Sequence, residues 1–150
     1  MGLKERLQGD LTEAIRGRDE VTSGTIRMVL TAITNEEVSG KTARQLSDAE
    51  IVTVLSREAK KRREAAEAYD LGARLDKAAL ERSEGEVIAK YLPVQLSDAE
   101  LQQMIKDAIA ETGTVGPAGM GQVMKVLSPK IAGKADGGIV SAAVKAALSN

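Results

Sequence analysis

The sequence predicts an all-α protein in two parts: a helical N-terminal domain with one long helix, followed by a small three-helix C-terminal domain. Three observations carry that prediction. Apolar residues recur at helical spacing along most of the chain. Two helix starts carry the same Ser…Glu signal, and no segment alternates like a strand between hairpin turns. At 150 residues the chain suits one ordinary domain or two small ones, and 43% hydrophobic with 29% charged residues is a normal globular composition.

Leu3, Leu7, Leu11 and Ile15 repeat every four residues and predict a first helix ending near Gly17. A second is expected over about 21–38, burying Val29, Leu30 and Ile33, with Gly40 in a left-handed closing position. Ser47 and Glu50 then form a capping box, each side chain satisfying a free backbone N–H at the start of a long third helix over 48–70. Its seam runs through Ile51, Leu55, Ala59, Arg62, Ala66 and Tyr69. A fourth helix is expected from about Leu75 to Tyr91, with Leu75, Ala79, Val87, Ile88 and Leu92 inward and Gly85 weakening it.

Pro93 cannot continue a helix and drives Leu92 out of helical conformation, so the domain boundary is placed there: 1–92 and 93–150. The hexapeptide at 45–50, Gln-Leu-Ser-Asp-Ala-Glu, recurs at 95–100. Because the residues that follow share only apolar spacing, it reads as a reused helix start more than as a duplication. A fifth helix follows over about 98–111, with Leu101, Met104, Ile105 and Ala108 inward. After a Gly/Pro loop, a short sixth helix is expected to stop at Ser128-Pro129, and a last helix capped by Asp136 carries Val140, Val144, Ala147 and Leu148.

Absent residue types exclude whole chemistries. Without Cys or His there is no disulfide, no thiolate nucleophile, no imidazole base and no Cys or His metal ligand. Phe and Trp are missing too, which leaves Tyr69 and Tyr91, too few for a base-stacking platform. No nucleotide-binding glycine loop occurs, and the adjacent acids Glu36-Glu37 and Glu84/Glu86 do not share a helix face. No catalytic residue, metal or cofactor is therefore expected. The N-terminus lacks a signal-type apolar core and no stretch suits a membrane span, so a soluble, cytoplasmic protein is expected.

The net charge is −1, yet from residue 113 onward Lys125, Lys130, Lys134 and Lys145 face one acid, Asp136. Lys125, Lys130 and Lys134 are the candidate nucleic-acid-binding residues. The run at 133–138 reads either as a plain helix cap by Asp136 or as an anion site beside a helix N-terminus. A second cluster on the long helix, Arg57, Lys60, Lys61 and Arg63, reads as an ion-paired solvent face with Glu64 and Glu67, or as a partner-binding face. Arg62 falls on the apolar seam and is expected to pair with a buried carboxylate between the two parts.

Several stretches in this order and spacing resemble the YqeY-like proteins of the GatB/YqeY family over essentially the whole chain. They are Ile26-Arg27-Met28, Ala32-Ile33 and Asn35-Glu36; Arg57-Glu58, Lys60 and Arg62-Arg63; Tyr91-Leu92-Pro93 with Leu96-Ser97; Met120-Gly121 with Val123-Met124-Lys125; and Gly133 to Gly137. The chain departs from the pattern at Lys77, where Leu is usual, and at Gly85, where an apolar residue is usual.

The resemblance implies a C-terminal domain similar to the tail of the B subunit of aspartyl/glutamyl-tRNA amidotransferase, which helps hold tRNA. It also implies an association with carbon–nitrogen ligase activity using glutamine as amide donor. The expected function is a non-catalytic tRNA- or RNA-associated accessory protein, without activity alone. A protein–protein adaptor is the alternative, and a subunit contributing to the ligase activity is the third reading. Expected partners are tRNA and amidotransferase components, with no membrane or DNA, and the protein is expected to be a monomer.

Overall fold

The computed structural model describes residues 2–149. Among them lie seven α-helices: α1 (Leu3–Arg16), α2 (Glu20–Glu37), α3 (Asp48–Leu71), α4 (Leu75–Ala89), α5 (Asp98–Thr112), α6 (Met120–Ile131) and α7 (Gly137–Leu148). A 3-10 turn, Pro117–Gly119, leads into α6, and no strand occurs among the described residues. The chain falls into two compact units, Met1–Leu92 and Pro93–Asn150.

In the first unit α1 to α4 surround a core of Leu7, Ile26, Val29, Ile33, Leu55 and Ile88, with Tyr91 at its edge. The four-residue repeat of α1 explains which residues enter it. Each step of four advances about 40° around a helix of 3.6 residues per turn, so Leu7 is central and Ile15 has rotated out to 49% exposure. Ala14 is buried in its place. The same correction applies to α4, where Leu75 (68% exposed) and Ala79 face outward and Ala78 is buried.

The end of α2 also differs from expectation. Gly40 does not adopt a left-handed conformation. The returning chain supplies the cap instead: the Arg44 amide donates to the carbonyl of Glu37 at 3.0 Å. α3 and α4 form an αα-hairpin through Gly72-Ala73-Arg74, with Ala73 at φ 57°.

Both copies of the repeated hexapeptide build the same helix start. Glu50 and Glu100 donate their amides to Ser47 and Ser97 Oγ at 3.2 Å, and their carboxylates accept from the serine amides at 2.8 and 2.9 Å. The reused-start reading accounts for both. Tyr91 and Leu92 close α4 with amide bonds to Ile88 and Ala89, three residues back, before Pro93.

The second unit packs Leu101, Ile105, Ala108, Val123, Leu127, Val140, Val144 and Leu148 without an aromatic ring. Gly113, at φ 65°, ends α5 in the left-handed position that favours glycine. Gly119 is needed for a different reason: a Cβ there would collide with Thr114. Contrary to expectation, α6 does not stop at Ser128 but runs to Ile131 with Pro129 inside it. Pro129 lies in the last turn of α6, and Ser128 Oγ donates to the carbonyl of Met124 at 2.7 Å.

Candidate functional site

Lys125, Lys130 and Lys134 all lie exposed in the second unit, two on α6 and one in the turn after it. Helical spacing separates Lys125 from Lys130 by about 140°, so they do not share one face. Lys130 is drawn toward Glu111 of α5, at 3.8 Å. The turn carrying Lys134 is tied down by hydrogen bonds. Gly133 takes φ 74°, the Lys134 amide donates to Ile131, and the Lys134 carbonyl accepts from Leu96 at 2.9 Å. Gln95 donates from its amide to both Pro93 and Gly133 carbonyls at 2.8 Å, strapping this turn to the start of the unit.

Asp136 caps α7, accepting from the amides of Gly138 at 2.6 Å and Ile139 at 3.3 Å. Its carboxylate holds the place an anion would take, so the cap reading of 133–138 describes this helix start. Lysine side chains, rather than the α7 amides, remain as the unit's means of meeting an anion.

Charge across the whole unit differs from charge across its second half. Residues 93–112 carry Asp98, Glu100, Asp107 and Glu111 against Lys106, a net −3 that cancels the +3 of residues 113–150. The division is one of sequence: all four acids lie on α5, the lysines follow it, and Lys130 reaches back to Glu111.

On α3 the cationic cluster is already neutralised in part. Arg57 pairs with Glu36 of α2 at 3.3 Å, Lys61 with Glu58 at 3.1 Å, and Lys60 lies 4.0 Å from Glu64. Arg63 is engaged as well. Arg62 meets half-buried carboxylates, Glu81 and Glu84 of α4, each at 3.3 Å, within the first unit and not between two parts. Gly85 stands directly opposite, where a Cβ would lie at an ordinary 3.8 Å from Arg62 Cβ.

Sequence reasoning missed a third arrangement. Tyr91 donates its hydroxyl to Asp10 Oδ2 at 2.6 Å, across 81 positions, while the Arg6 guanidinium stands 4.8 Å above the ring. Burial, reinforced by the Asp10 carboxylate, pushes the Tyr91 phenol above its ordinary range. A groove of about 490 Å³ opens beside it, lined by Asp10, Glu13, Asp19, Thr22 and Lys90 among others. The signal was half present: Tyr91 precedes Leu-Pro, but nothing local marks Asp10 as its partner. The acids here are occupied, Glu13 with Arg16 and Asp19 with the amide and hydroxyl of Thr22, bonds that hold Asp19 below the usual carboxylate range. No group of three or more acidic ligands able to hold a metal occurs among the described residues. No helix among them is long and apolar enough to cross a membrane.

Residues 4–148 match the family described as "Yqey-like protein". A stretch of 112 residues is 31% identical to the "Altered inheritance of mitochondria protein 41, mitochondrial" of Clavispora lusitaniae (strain ATCC 42720), covering 73% of this chain and 64% of that relative. The chain therefore spans less than two thirds of that relative's length.

Proposed function

The chain belongs to the YqeY-like family, and from that premise we propose that it is a non-catalytic, RNA-associated accessory protein acting through the exposed lysines of its second unit. The observation that carries this reading is the placement of Lys125, Lys130 and Lys134, exposed on α6 and the following turn, while the local acid Asp136 is drawn into capping α7. The tRNA-holding tail implied by the family resemblance makes tRNA the first RNA to test. Contact would run through phosphates, because the unit has no aromatic ring. A monomer in an aqueous compartment, the cytoplasm in the first instance, suits such a protein.

The test is binding of bulk tRNA to the wild type and to Lys125→Glu/Lys134→Glu across a salt series. Binding that weakens with salt and disappears in the double variant supports the reading. Absence of binding by the wild type at low salt removes it. An amidotransferase-linked role further expects this protein to change the amidation rate of charged tRNA by a separately supplied glutaminase and ligase core.

The adaptor reading draws on a different observation. The α3 cations already hold Glu36, Glu58 and Glu64, giving a mosaic of both signs rather than a positive field. Such a face suits a protein partner better than a phosphate backbone. Partners retained after nuclease treatment but lost on Lys60→Glu or Arg63→Glu would favour it.

A further inference from the structure

We infer that the RNA element gripped by the second unit is a base-paired stem rather than a single strand or an unpaired loop. This rests on the reading of the chain as RNA-associated and goes beyond it by naming the kind of RNA structure bound. The argument begins with what residues 93–150 lack. They contain no Tyr, Phe, Trp or His, and no arginine, the last arginine being Arg82. Proteins hold unpaired bases by stacking them on aromatic rings or guanidinium planes, and this unit has neither. Both tyrosines belong to the first unit, and Tyr91 is buried with its hydroxyl bound to Asp10.

The donors that remain suit a different target. Lysine ammonium groups act as point charges on phosphates, and a paired stem offers two phosphate rows held in fixed geometry. An unstacked strand offers one flexible row, and its bases would find no surface to rest on. Two of the glutamines that could read base edges are engaged: Gln95 with the Pro93 and Gly133 carbonyls, Gln103 with Asp107 at 2.9 Å. The four acids of α5 repel phosphate and so direct the stem toward the lysines. Lys130 shares its charge with Glu111. No more than about three phosphates are neutralised by Lys125, Lys130 and Lys134. The slope of log K against log salt is then about −2 to −2.7, a loss of roughly 20- to 40-fold between about 50 and 200 mM.

The experiment measures fluorescence anisotropy of the full chain with a 20-base-pair RNA duplex and with each of its separated strands, at both salt concentrations. The expected result is duplex binding at least about five-fold tighter than either strand, with the salt loss given above. Lys125→Gln/Lys134→Gln should flatten the slope by about two, with circular dichroism verifying that the variant is folded. Strands bound as tightly as the duplex would overturn the stem assignment while leaving RNA association standing. An unchanged slope in the folded double variant would overturn it as well, by moving the contact off these lysines. No binding of duplex or strand at low salt would remove the RNA reading itself, and the stem with it.

Discussion

Replacing Tyr91 by Phe deletes one oxygen and leaves the ring, so it isolates the hydrogen bond that ties the end of α4 to α1. Tyr91 is 8% exposed and its hydroxyl donates to the Asp10 carboxylate at 2.6 Å. Hydrogen bonds to charged groups contribute about 1.5–3 kcal/mol. The Asp10 side chain is 46% exposed and Arg6 lies 4.0 Å away, so water and a cation remain to serve the carboxylate once the phenol is gone. That places the cost at the low end, about 1.5 kcal/mol, with the Arg6 contact to the ring preserved because Phe keeps the π face.

The assay for Tyr91→Phe is urea unfolding at neutral pH followed by circular dichroism, with Asp10→Ala and the double variant completing a cycle. Should the two units unfold in separate transitions, the effect belongs to that of the first. A coupling of about 1 kcal/mol or more is expected, above the roughly 0.3–0.5 kcal/mol within which independent sites add. A coupling within about 0.3 kcal/mol of zero would refute the reasoning. The 81-position contact would then be an incidental meeting of two groups already satisfied by water.

Two further outcomes follow from the same packing. Gly85→Ala is expected to stabilise the first unit by about 0.5–1 kcal/mol, since the new methyl would meet Arg62 Cβ at an ordinary 3.8 Å; a lowered melting temperature would show that the hairpin cannot accept even that carbon. Stability should be flat from about pH 5.5 to 9, because no His or Cys titrates there. Asp19, Glu37, Glu50 and Asp70 are held below their ordinary values, mainly by hydrogen bonds from Thr22, from Lys4, from the Ser47 amide and from Arg82 respectively. The unfolded chain therefore binds more protons in acid, and the stabilisation present above about pH 4.5 is lost as pH falls through the lowered values. The raised Tyr91 phenol works in the opposite direction: its contribution is complete below the ordinary phenol value of 10.0 and is lost above it. A urea midpoint that drifts across neutral pH would contradict this assignment of the titrating groups.

What could be read from the sequence was local. The capping boxes at Ser47/Glu50 and Ser97/Glu100 are complete within four residues, and both formed as expected. Apolar spacing likewise placed Ile51, Leu55, Leu101 and Ile105 in cores. Errors came where geometry accumulates or where another segment intervenes. A four-residue repeat drifts around the helix, and that exchanged Ile15 for Ala14. Pro129 reads as a stop, yet α6 runs on to Ile131, which is buried with Leu127 in the core of the second unit. Gly40 reads as a left-handed cap, but the Arg44 amide already serves the end of α2. The Tyr91–Asp10 pair was illegible because neither residue's neighbours specify the other.

The candidate interface shows the same limit in its electrostatics. Counting charge along a segment assumes that neighbours in sequence are neighbours in space, and a three-helix unit breaks that assumption. The +3 of residues 113–150 is real, but α5 supplies four acids, and Glu111 reaches Lys130. At a Debye length of about 10 Å in 0.1 M salt, a unit this small is felt at a distance nearly as a neutral object. Long-range attraction to RNA is correspondingly weak, and only a surface that brings phosphates within a few ångströms of Lys125 and Lys134 experiences them as cations. Discrimination would then come from shape at close range, through whichever phosphate spacing matches the fixed Gly133–Lys134 turn and the last turns of α6. On the proposed RNA-binding reading, the hydrogen bond from Gln95 to Gly133 would help to set the position of the backbone under Lys134.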